Sequence, residues 1–457
     1  MSLGAIVGLV ALNLWLFVVG VCVLFGLRGW NSWVELGRLS GLAYMCGVGS
    51  LGIVWVWQLT FSIGMSLATI FGSGVIVGVA AVLVGLRLGR RLPPRPMLRM
   101  PPLRLSLVAA LFGGLTAVYL EAQFRAGRLA GLYEFDAWSF WVPKARAIYY
   151  FGGLDGQFFQ GLAGQSYPPL VPALEAAAFH FMGAADAVTL HLQFWFLLLG
   201  FVGAVIGLLA GRVPRLLLWG SLLLVLVTPH VVDYALQPQA DFLLDEFFAL
   251  GALLLAIWLR DRADWALCGA TLFLAAAMLT KREGYVLGVC ALLAAVVVTR
   301  PQARSLWPRL VAAGLVAAAL TIPWRVLLVA RDLEGGGPEA GGLGLLSHLE
   351  RAWPSLRLTL STLFDFHIWL IVVPLLVLAI LAGFISGDRQ FSGYAALLSI
   401  LCVAAFTWST WAFPSLPITK AAAVNPIVRF TGALVLATVW LVPLLLADAR
   451  RTEAARR

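Results

Sequence analysis

Two acidic residues, Glu134 and Asp136, lie in an aromatic-rich stretch of the chain. Two basic residues, Lys144 and Arg146, follow them, and a helix from about 138 to 150 would carry both cations near the acids. Carboxylates beside cations can deprotonate a hydroxyl group and stabilise a phosphate. The non-catalytic alternative is a surface helix anchored by its aromatic residues, in which Asp136 pairs with Lys144.

A second acidic group stands at the start of an apolar stretch. Asp241 and Asp245 are four residues apart and therefore share one face of a helix. Asp245 and Glu246 would lie about one turn inside a membrane span, where a carboxylate is costly unless it faces a polar cavity or a partner. These acids are therefore candidates for function. The alternative is a structural ion pair with Lys281 or Arg282.

A third group is the segment TKREG, which contains Lys281, Arg282 and Glu283. Arginine binds phosphate through its planar fork and lysine as a point charge, so this turn could hold a phosphate or pyrophosphate. Snorkelling of two cations at a helix end is the alternative. Two further cations lie at predicted outer helix ends: Arg325, and Arg429, which is either a third phosphate ligand or an interfacial anchor.

No metal or disulfide site is predicted from the cysteines and histidines. The five cysteines lie in or beside apolar stretches without a CxxC pair, and the five histidines lack a metal-ligand spacing. Asp136 and Asp241 together could hold a divalent cation through oxygen ligands. Nearby cations could already neutralise a phosphate, so no metal is assigned.

The composition indicates a polytopic membrane protein. Of 457 residues, 61% are hydrophobic and 12% are charged, and the mean hydropathy is +0.93. Soluble domains carry about 25% charged residues, so a soluble enzyme and an ordinary DNA-binding protein are excluded. Apolar runs of sufficient length predict an all-α fold with about thirteen transmembrane helices. They lie near 3–26, 41–60, 63–86, 105–122, 187–210, 215–230, 242–259, 265–280, 284–299, 308–329, 366–384, 391–412 and 428–446.

The distribution of charge predicts an orientation. One set of alternating loops contains 20 of the 32 basic residues and only 6 of the 22 acidic ones. By the positive-inside rule that side is cytoplasmic, which leaves the N-terminus and the acidic clusters outside and the C-terminus inside. The net charge of +10 therefore orients the protein and does not indicate a nucleic-acid partner. The first apolar stretch lacks a basic n-region and a cleavage site, which favours a retained helix. The Arg- and Ala-rich composition suggests a bacterial inner membrane.

We expect one membrane domain with three parts. Residues 1–104 contain the first helices and a basic loop, 105–300 a catalytic core with an outer loop at 123–186, and 301–457 the last helices with an outer loop at 331–365. An amphipathic helix is predicted on the membrane surface around 346–360, because leucines recur there at helical spacing. The glycines at 335–337 lack a following GK[ST] and suggest a hinge or lid.

The order of these motifs resembles a known family. An acidic residue in the first outer loop, SYPPLVP at 166–172, PQADFLLDEF at 238–247 and TKREG at 280–284 resemble the GT-C membrane glycosyltransferases over about 105–300. The resemblance is greatest to the protein O-mannosyltransferase and lipid A aminoarabinose transferase type, which is glycosyltransferase family 39-like. In the aminoarabinose transferases a lysine precedes the PPL triplet, where this chain has Tyr167.

The resemblance implies a hexosyl or pentosyl transferase. Such enzymes move a sugar from a polyprenyl-phosphate donor to a glycan, lipid or protein acceptor on the outer face of the membrane. Asp136 matches the catalytic base, Asp241 the acidic start of the later helix, and Lys281 with Arg282 the turn that holds the donor phosphate. Lys144 would then replace the lysine missing at Tyr167.

Three other functions compete with this interpretation. A flippase for lipid-linked sugars would use the same charges along a path through the membrane, but here they gather at the outer face. An O-antigen ligase or polymerase would place basic residues in a large late outer loop. A structural subunit would leave Asp245 and Glu246 without a role.

Overall fold

The computed structural model describes residues 2–93, 107–154, 161–162, 164–300, 303–333, 348–386, 388–412 and 426–456. These residues form helices and contain no β-strand. The helices are α1 (Leu3–Leu27), α2 (Trp33–Arg38), α3 (Ser40–Thr60), α4 (Leu67–Arg87), α5 (Leu107–Gly127), a π-helical turn (Ala137–Trp141), α6 (Val142–Phe151), α7 (Leu170–Met182), α8 (Ala187–Leu209), α9 (Arg215–Leu226), α10 (Pro229–Tyr234), α11 (Ala240–Asp261), α12 (Asp264–Thr280), α13 (Glu283–Val298), α14 (Ala303–Ala330), a 3-10 turn (Leu349–Arg351), α15 (Ala352–Leu363), α16 (Phe366–Trp369), α17 (Val372–Ser386), α18 (Arg389–Ala412), α19 (Pro426–Val439) and α20 (Val442–Arg456).

The long helices confirm a membrane-embedded, all-helical protein. In the described ranges, nine helical segments are long and apolar enough to cross a membrane: α1, α3, α4, α5, α8, α11, α14, α18, and α19 together with α20. Four other predicted spans fall on α9, α12, α13 and α17, which have 12 to 17 residues. The number of about thirteen crossings therefore stays a prediction.

Several helix boundaries differ from the predicted ones for local reasons. α4 begins at Leu67 instead of residue 63, because Ser66 forms a capping box with Thr69. The apolar run predicted at 366–384 is divided into α16 and α17, since Leu370 has a positive φ of 51° that a helix does not accept.

The antiparallel pair α11 and α12 forms the centre of the molecule. All residues of α11 from Ala240 to Leu259 are buried, as expected for a helix that is apolar on every side. Gly251 of α11 allows close approach, because a Cβ there would lie 2.9 Å from the Leu274 side chain. The pairing brings the start of α11 beside the end of α12.

Short helices cover the end of the bundle at which α11 begins. The helix predicted near 138–150 is present as the π-helical turn followed by α6. The same outer loop contains a further buried helix, α7, which the sequence did not indicate. The predicted amphipathic stretch around 346–360 forms a 3-10 turn and α15 from Leu349 onward. Its first residues and the glycines at 335–337 lie outside the described residues.

The end of α12 is recessed below that of α3. Gly49 of α3 is level with Ala276 of α12, because a Cβ at Gly49 would lie 3.7 Å from the Ala276 side chain. From these positions α3 continues for eleven residues to Thr60, whereas α12 continues for only four to Thr280. At 1.5 Å per residue, the turn after α12 lies about 10 Å below the end of α3.

Candidate functional site

A chain of alternating charges lies in this recess. The Nη1 atom of Arg429 donates to Asp136 Oδ2 and lies 3.4 Å from Asp241 Oδ2. Lys281 Nζ donates to the other Asp241 oxygen, Oδ1, at 2.8 Å and lies 3.5 Å from Glu283 Oε1. Residues from the first outer loop, α11, the turn after α12, and α19 thus meet in one ion cluster, defined here as Asp136, Asp241, Lys281, Glu283 and Arg429.

Each member of the ion cluster is positioned by a helix end. Asp136 immediately precedes the π-helical turn, and Asp241 lies in the first turn of α11. Lys281 ends α12 in an extended conformation with φ of −154° and ψ of 155°. Arg429 lies in the first turn of α19. Because α11 and α12 are antiparallel neighbours, Asp241 and Lys281 meet at the same level of the bundle.

The ion cluster is largely withdrawn from solvent. Asp241 and Lys281 are only 4% and 5% exposed, and the side chains of Asp136 and Arg429 are 14% and 13% exposed. Taking charges out of water is costly, so removal of one partner from such a pair is strongly destabilising. Each charge in the cluster therefore depends on the presence of its partner.

Aromatic rings and a second cation line one side of the ion cluster. The Tyr167 ring lies 5.8 Å from Lys281 Nζ and 5.5 Å from the guanidinium carbon of Arg282. It stacks on Phe140 of the π-helical turn with a centroid distance of 5.9 Å. Arg282 Nε also lies 3.4 Å from the carbonyl oxygen of Ser166. The SYPP segment is therefore held against the TKREG turn through Tyr167.

Lys144 is buried beside this aromatic wall. It is 1% exposed, donates to the carbonyl oxygen of Gly164 at 2.5 Å, and lies 5.2 Å from the Phe140 ring. Burial, reinforced by the nearby charge of Arg282, lowers the pKa of Lys144 to about 7. Near neutral pH this amine can therefore exist in either charge state.

The pH dependence of stability gives a test of the burial of Lys144. Below pH 7 the folded protein contains a buried positive charge on Lys144. As the pH rises from about 7 towards 10.5, Lys144 is deprotonated in the folded protein but still protonated in the unfolded chain, so the cost of burying the charge disappears. Wild-type stability should therefore increase across that window, at most by about 1.4 kcal/mol per pH unit. We expect Lys144→Met to stabilise the protein more at pH 6 than at pH 9, as measured by Tm.

Arg146 provides the matched control for this experiment. It is exposed on α6, two residues from Lys144, so Arg146→Met should change Tm by the same amount at both pH values. If the change in Tm caused by Lys144→Met is also the same at both pH values, the Lys144 amine is not buried.

A second buried contact lies beneath the ion cluster. His230 Nε2 lies 3.7 Å from Asp245 Oδ2, and the His230 ring packs against Trp369 at 4.5 Å. Gly432 of α19 crosses this pair, and a Cβ there would lie 2.4 Å from Asp245 Oδ2. Since Gly432 follows Arg429 by three residues, this close crossing sets the position of Arg429. The sequence indicates this crossing only through the glycine in VRFTG.

The remaining candidates lie outside the ion cluster. Arg146 is exposed because two residues on a helix are separated by about 200°, which turns it away from Lys144. Arg325 is exposed on α14 beside Tyr285. Glu134 is buried near Tyr133 and His191, and its Oε2 atom has no hydrogen-bond partner in the described part of the chain.

The observed ion pairs agree with the predicted structural alternatives only in part, through the pair of Asp241 with Lys281. Asp136 contacts Arg429 rather than Lys144. Lys281 contacts Asp241, and Asp245 contacts His230. Glu246 is fully buried, and neither of its carboxylate oxygens has a hydrogen-bond partner among the described residues.

The two carboxylates considered as metal ligands are bridged by a cation of the protein. The guanidinium of Arg429 lies between Asp136 and Asp241, the two carboxylates considered as metal ligands. Within the residues that the structure describes, no group of three His, Cys, Asp or Glu residues is arranged to hold a metal.

No protein-family model, curated protein or solved structure matches the chain.

Proposed function

We propose that this protein transfers a sugar from a lipid-linked phosphate donor to an acceptor hydroxyl, as the motif resemblance implies. The observation that carries the proposal is the position of Arg429 between Asp136 and Asp241. A candidate base and a candidate phosphate ligand are thereby in direct contact. This contact unites residues that are 293 positions apart in the sequence.

The balance of charges supports phosphate binding. Arg429 and Lys281 belong to the ion cluster, and Arg282 and Lys144 lie against its aromatic wall. Three of these cations face three carboxylates, and Lys144, whose pKa is about 7, adds a further positive charge when it is protonated, a state that a bound phosphate would favour. A phosphate on Arg429 would weaken the contact between Arg429 and Asp136. Donor binding would thereby free Asp136 for its role as a base.

The proposed reaction is a single displacement. Asp136 accepts the proton of the acceptor hydroxyl, and the acceptor oxygen forms a bond to the anomeric carbon while the bond from that carbon to the phosphate oxygen breaks. The electron pair of the broken bond stays on the lipid phosphate, which Arg429 and Lys281 stabilise. The anomeric carbon is inverted, because the acceptor attacks opposite the leaving group.

The depth of the ion cluster supports a lipid-linked donor. It lies at the recessed turn after α12, about 10 Å below the end of α3. A phosphate joined to a membrane lipid can reach this level while its chain stays in the apolar region. A water-soluble sugar nucleotide would have to enter the recess without a lipid anchor.

The test is a transfer assay with purified full-length protein. We would supply a panel of radiolabelled polyprenyl-phosphate sugars together with membrane extract as a source of acceptor, and measure release of free polyprenyl phosphate. We expect release with at least one donor. Donor binding without release from any donor in the panel would favour a lipid-linked sugar transporter instead.

A further inference from the structure

A groove outside the ion cluster runs between α1 and α4. Its first part is a cavity of about 300 Å³ beside Trp15 and Gly74, and its second part is a cavity of about 600 Å³. Both parts are lined by Cys22 and Val82, so they adjoin each other along the same two helices. The combined size is within the range of sites that bind small molecules.

The groove leads to the end of the molecule opposite the ion cluster. Arg90 donates to the carbonyl oxygen of Leu27 at the end of α1, and neighbouring Arg28 packs over Trp265 at the start of α12. Since Lys281 lies at the other end of α12, the ion cluster and this end of the groove are separated by the length of that helix. The positive-inside rule predicts that this arginine-rich end is cytoplasmic.

The walls of the groove are apolar and open to the surrounding membrane. Val75, Val79 and Leu83 of α4 line the first part and are each more than half exposed. From Gly74 to Leu86 the groove follows thirteen residues of α4, whose twelve rises span about 18 Å. One leaflet of a bilayer is about 15 Å thick, so the groove has the length of a lipid acyl chain.

The end of the groove is positively charged. Arg90 and Arg91 line it, and neither forms an ion pair with any residue that the structure describes. The carboxylate of Glu35 pairs instead with Arg28 at 2.6 Å and with Arg38 at 3.7 Å. An anion at this position would therefore meet unneutralised arginine side chains.

A buried donor at the same end also lacks an acceptor. Trp30 lines the groove and is 7% exposed, and its Nε1 atom has no hydrogen-bond partner among the described residues. The Nε atom of Arg90 is likewise buried without an acceptor there. A ligand with acceptor oxygens at this end of the groove would provide hydrogen-bond partners for both groups.

We propose that this groove binds an anionic phospholipid. The acyl chain lies along α1 and α4, and the phosphate lies beside Arg90 and Arg91 at the level of Trp30. Basic pockets between transmembrane helices recognise anionic headgroups in this way. A zwitterionic lipid fits the apolar part equally well but gains less from the two arginines, so the site selects by headgroup charge.

Native mass spectrometry of the full-length protein in detergent tests the proposal, with phosphatidylglycerol and phosphatidylcholine as probes. We expect phosphatidylglycerol to bind at least about 10-fold more tightly. Arg91→Gln should weaken its binding about 5-fold, and Arg90→Gln combined with Arg91→Gln about 30-fold. Arg91→Gln leaves the Arg90 contact with Leu27 intact, so it separates lipid binding from any structural effect. Equal affinity for both lipids would overturn the proposal.

Two further variants define what the groove binds. Arg87→Gln removes the same charge from an exposed position of α4 that does not line the groove, and we expect less than a 2-fold effect. Val82→Trp should fill the groove and lower lipid affinity although both arginines remain. If Arg87→Gln weakens binding as much as Arg91→Gln, only general surface charge is involved. If inorganic phosphate stabilises the protein as strongly as the lipid does, the site binds a free anion and the proposal fails.

Discussion

Replacing Asp136 with asparagine should lower the rate of sugar transfer by about 10²- to 10⁴-fold, the usual contribution of a general base. Asparagine keeps the size of the side chain but cannot accept the proton of the acceptor hydroxyl. The donor should still bind at least as tightly as in the wild type, because Arg429 loses a competing carboxylate contact. The expected signature is therefore a large decrease in kcat with an unchanged or smaller Kd for the donor.

Glu134 offers a matched comparison on the same loop. It is a buried carboxylate two residues from Asp136, but its contacts do not reach the ion cluster in the described part of the chain. We expect Glu134→Gln to reduce transfer severalfold at most. Transfer by Asp136→Asn at near wild-type rates, with a normal Tm, would rule out Asp136 as the base. A larger loss in Glu134→Gln would assign that role to Glu134.

Removing one charge from the buried pair of Asp241 and Lys281 should destabilise the protein by about 3–5 kcal/mol. In Lys281→Met, Asp241 stays buried with Arg429 as its remaining cationic partner. In Asp241→Asn, Lys281 and Arg429 each lose the carboxylate of Asp241. The double variant should lose clearly less than the sum of the single losses, because neither charge is then left without its partner. Unfolding free energies of the four proteins in detergent measure this coupling.

An exposed ion pair of the same protein serves as the control. Arg212 and Asp261 lie 2.9 Å apart, but their side chains are 26% and 35% exposed. Exposed pairs contribute about 0–1 kcal/mol, so Asp261→Asn should have a small effect. Similar losses in Asp261→Asn and Asp241→Asn would mean that the Asp241 and Lys281 pair is solvated. The double variant should lose transfer activity although its loss of stability is smaller than the sum of the single losses, since Lys281, the proposed phosphate ligand, is missing.

The residues that meet in the ion cluster were recognisable in the sequence, but of their contacts only the pair of Asp241 with Lys281 was among the predicted alternatives. Asp136, Asp241, Lys281 and Arg429 stand out as charges at the ends of apolar stretches. Each of these charges had several possible partners on the same predicted side of the membrane, and Lys144 was the nearest in sequence to Asp136. The choice of Arg429 depends on how α19 packs on α11, which residue types alone do not encode.

The contrast between Glu134 and Asp136 has a similar origin. Two carboxylates so close in sequence have the same charge, the same loop and the same aromatic surroundings. Their different environments arise because the π-helical turn begins directly after Asp136 and directs it towards Arg429. The direction of a side chain at such a turn depends on the elements packed around it.

The sequence by itself determined the class of protein, the helical fold and most of the charged residues of the candidate site. These properties follow from composition and local patterns: apolar runs must be buried or face lipid, and charges must lie near their ends. Only the tertiary structure decided which charges pair, how deep the pairs lie and which carboxylate faces Arg429. These features depend on close approaches such as that of Gly432 to Asp245, and on the shortness of α12 relative to α3. Such distances arise from packing between segments that are remote in the chain, so no local pattern encodes them.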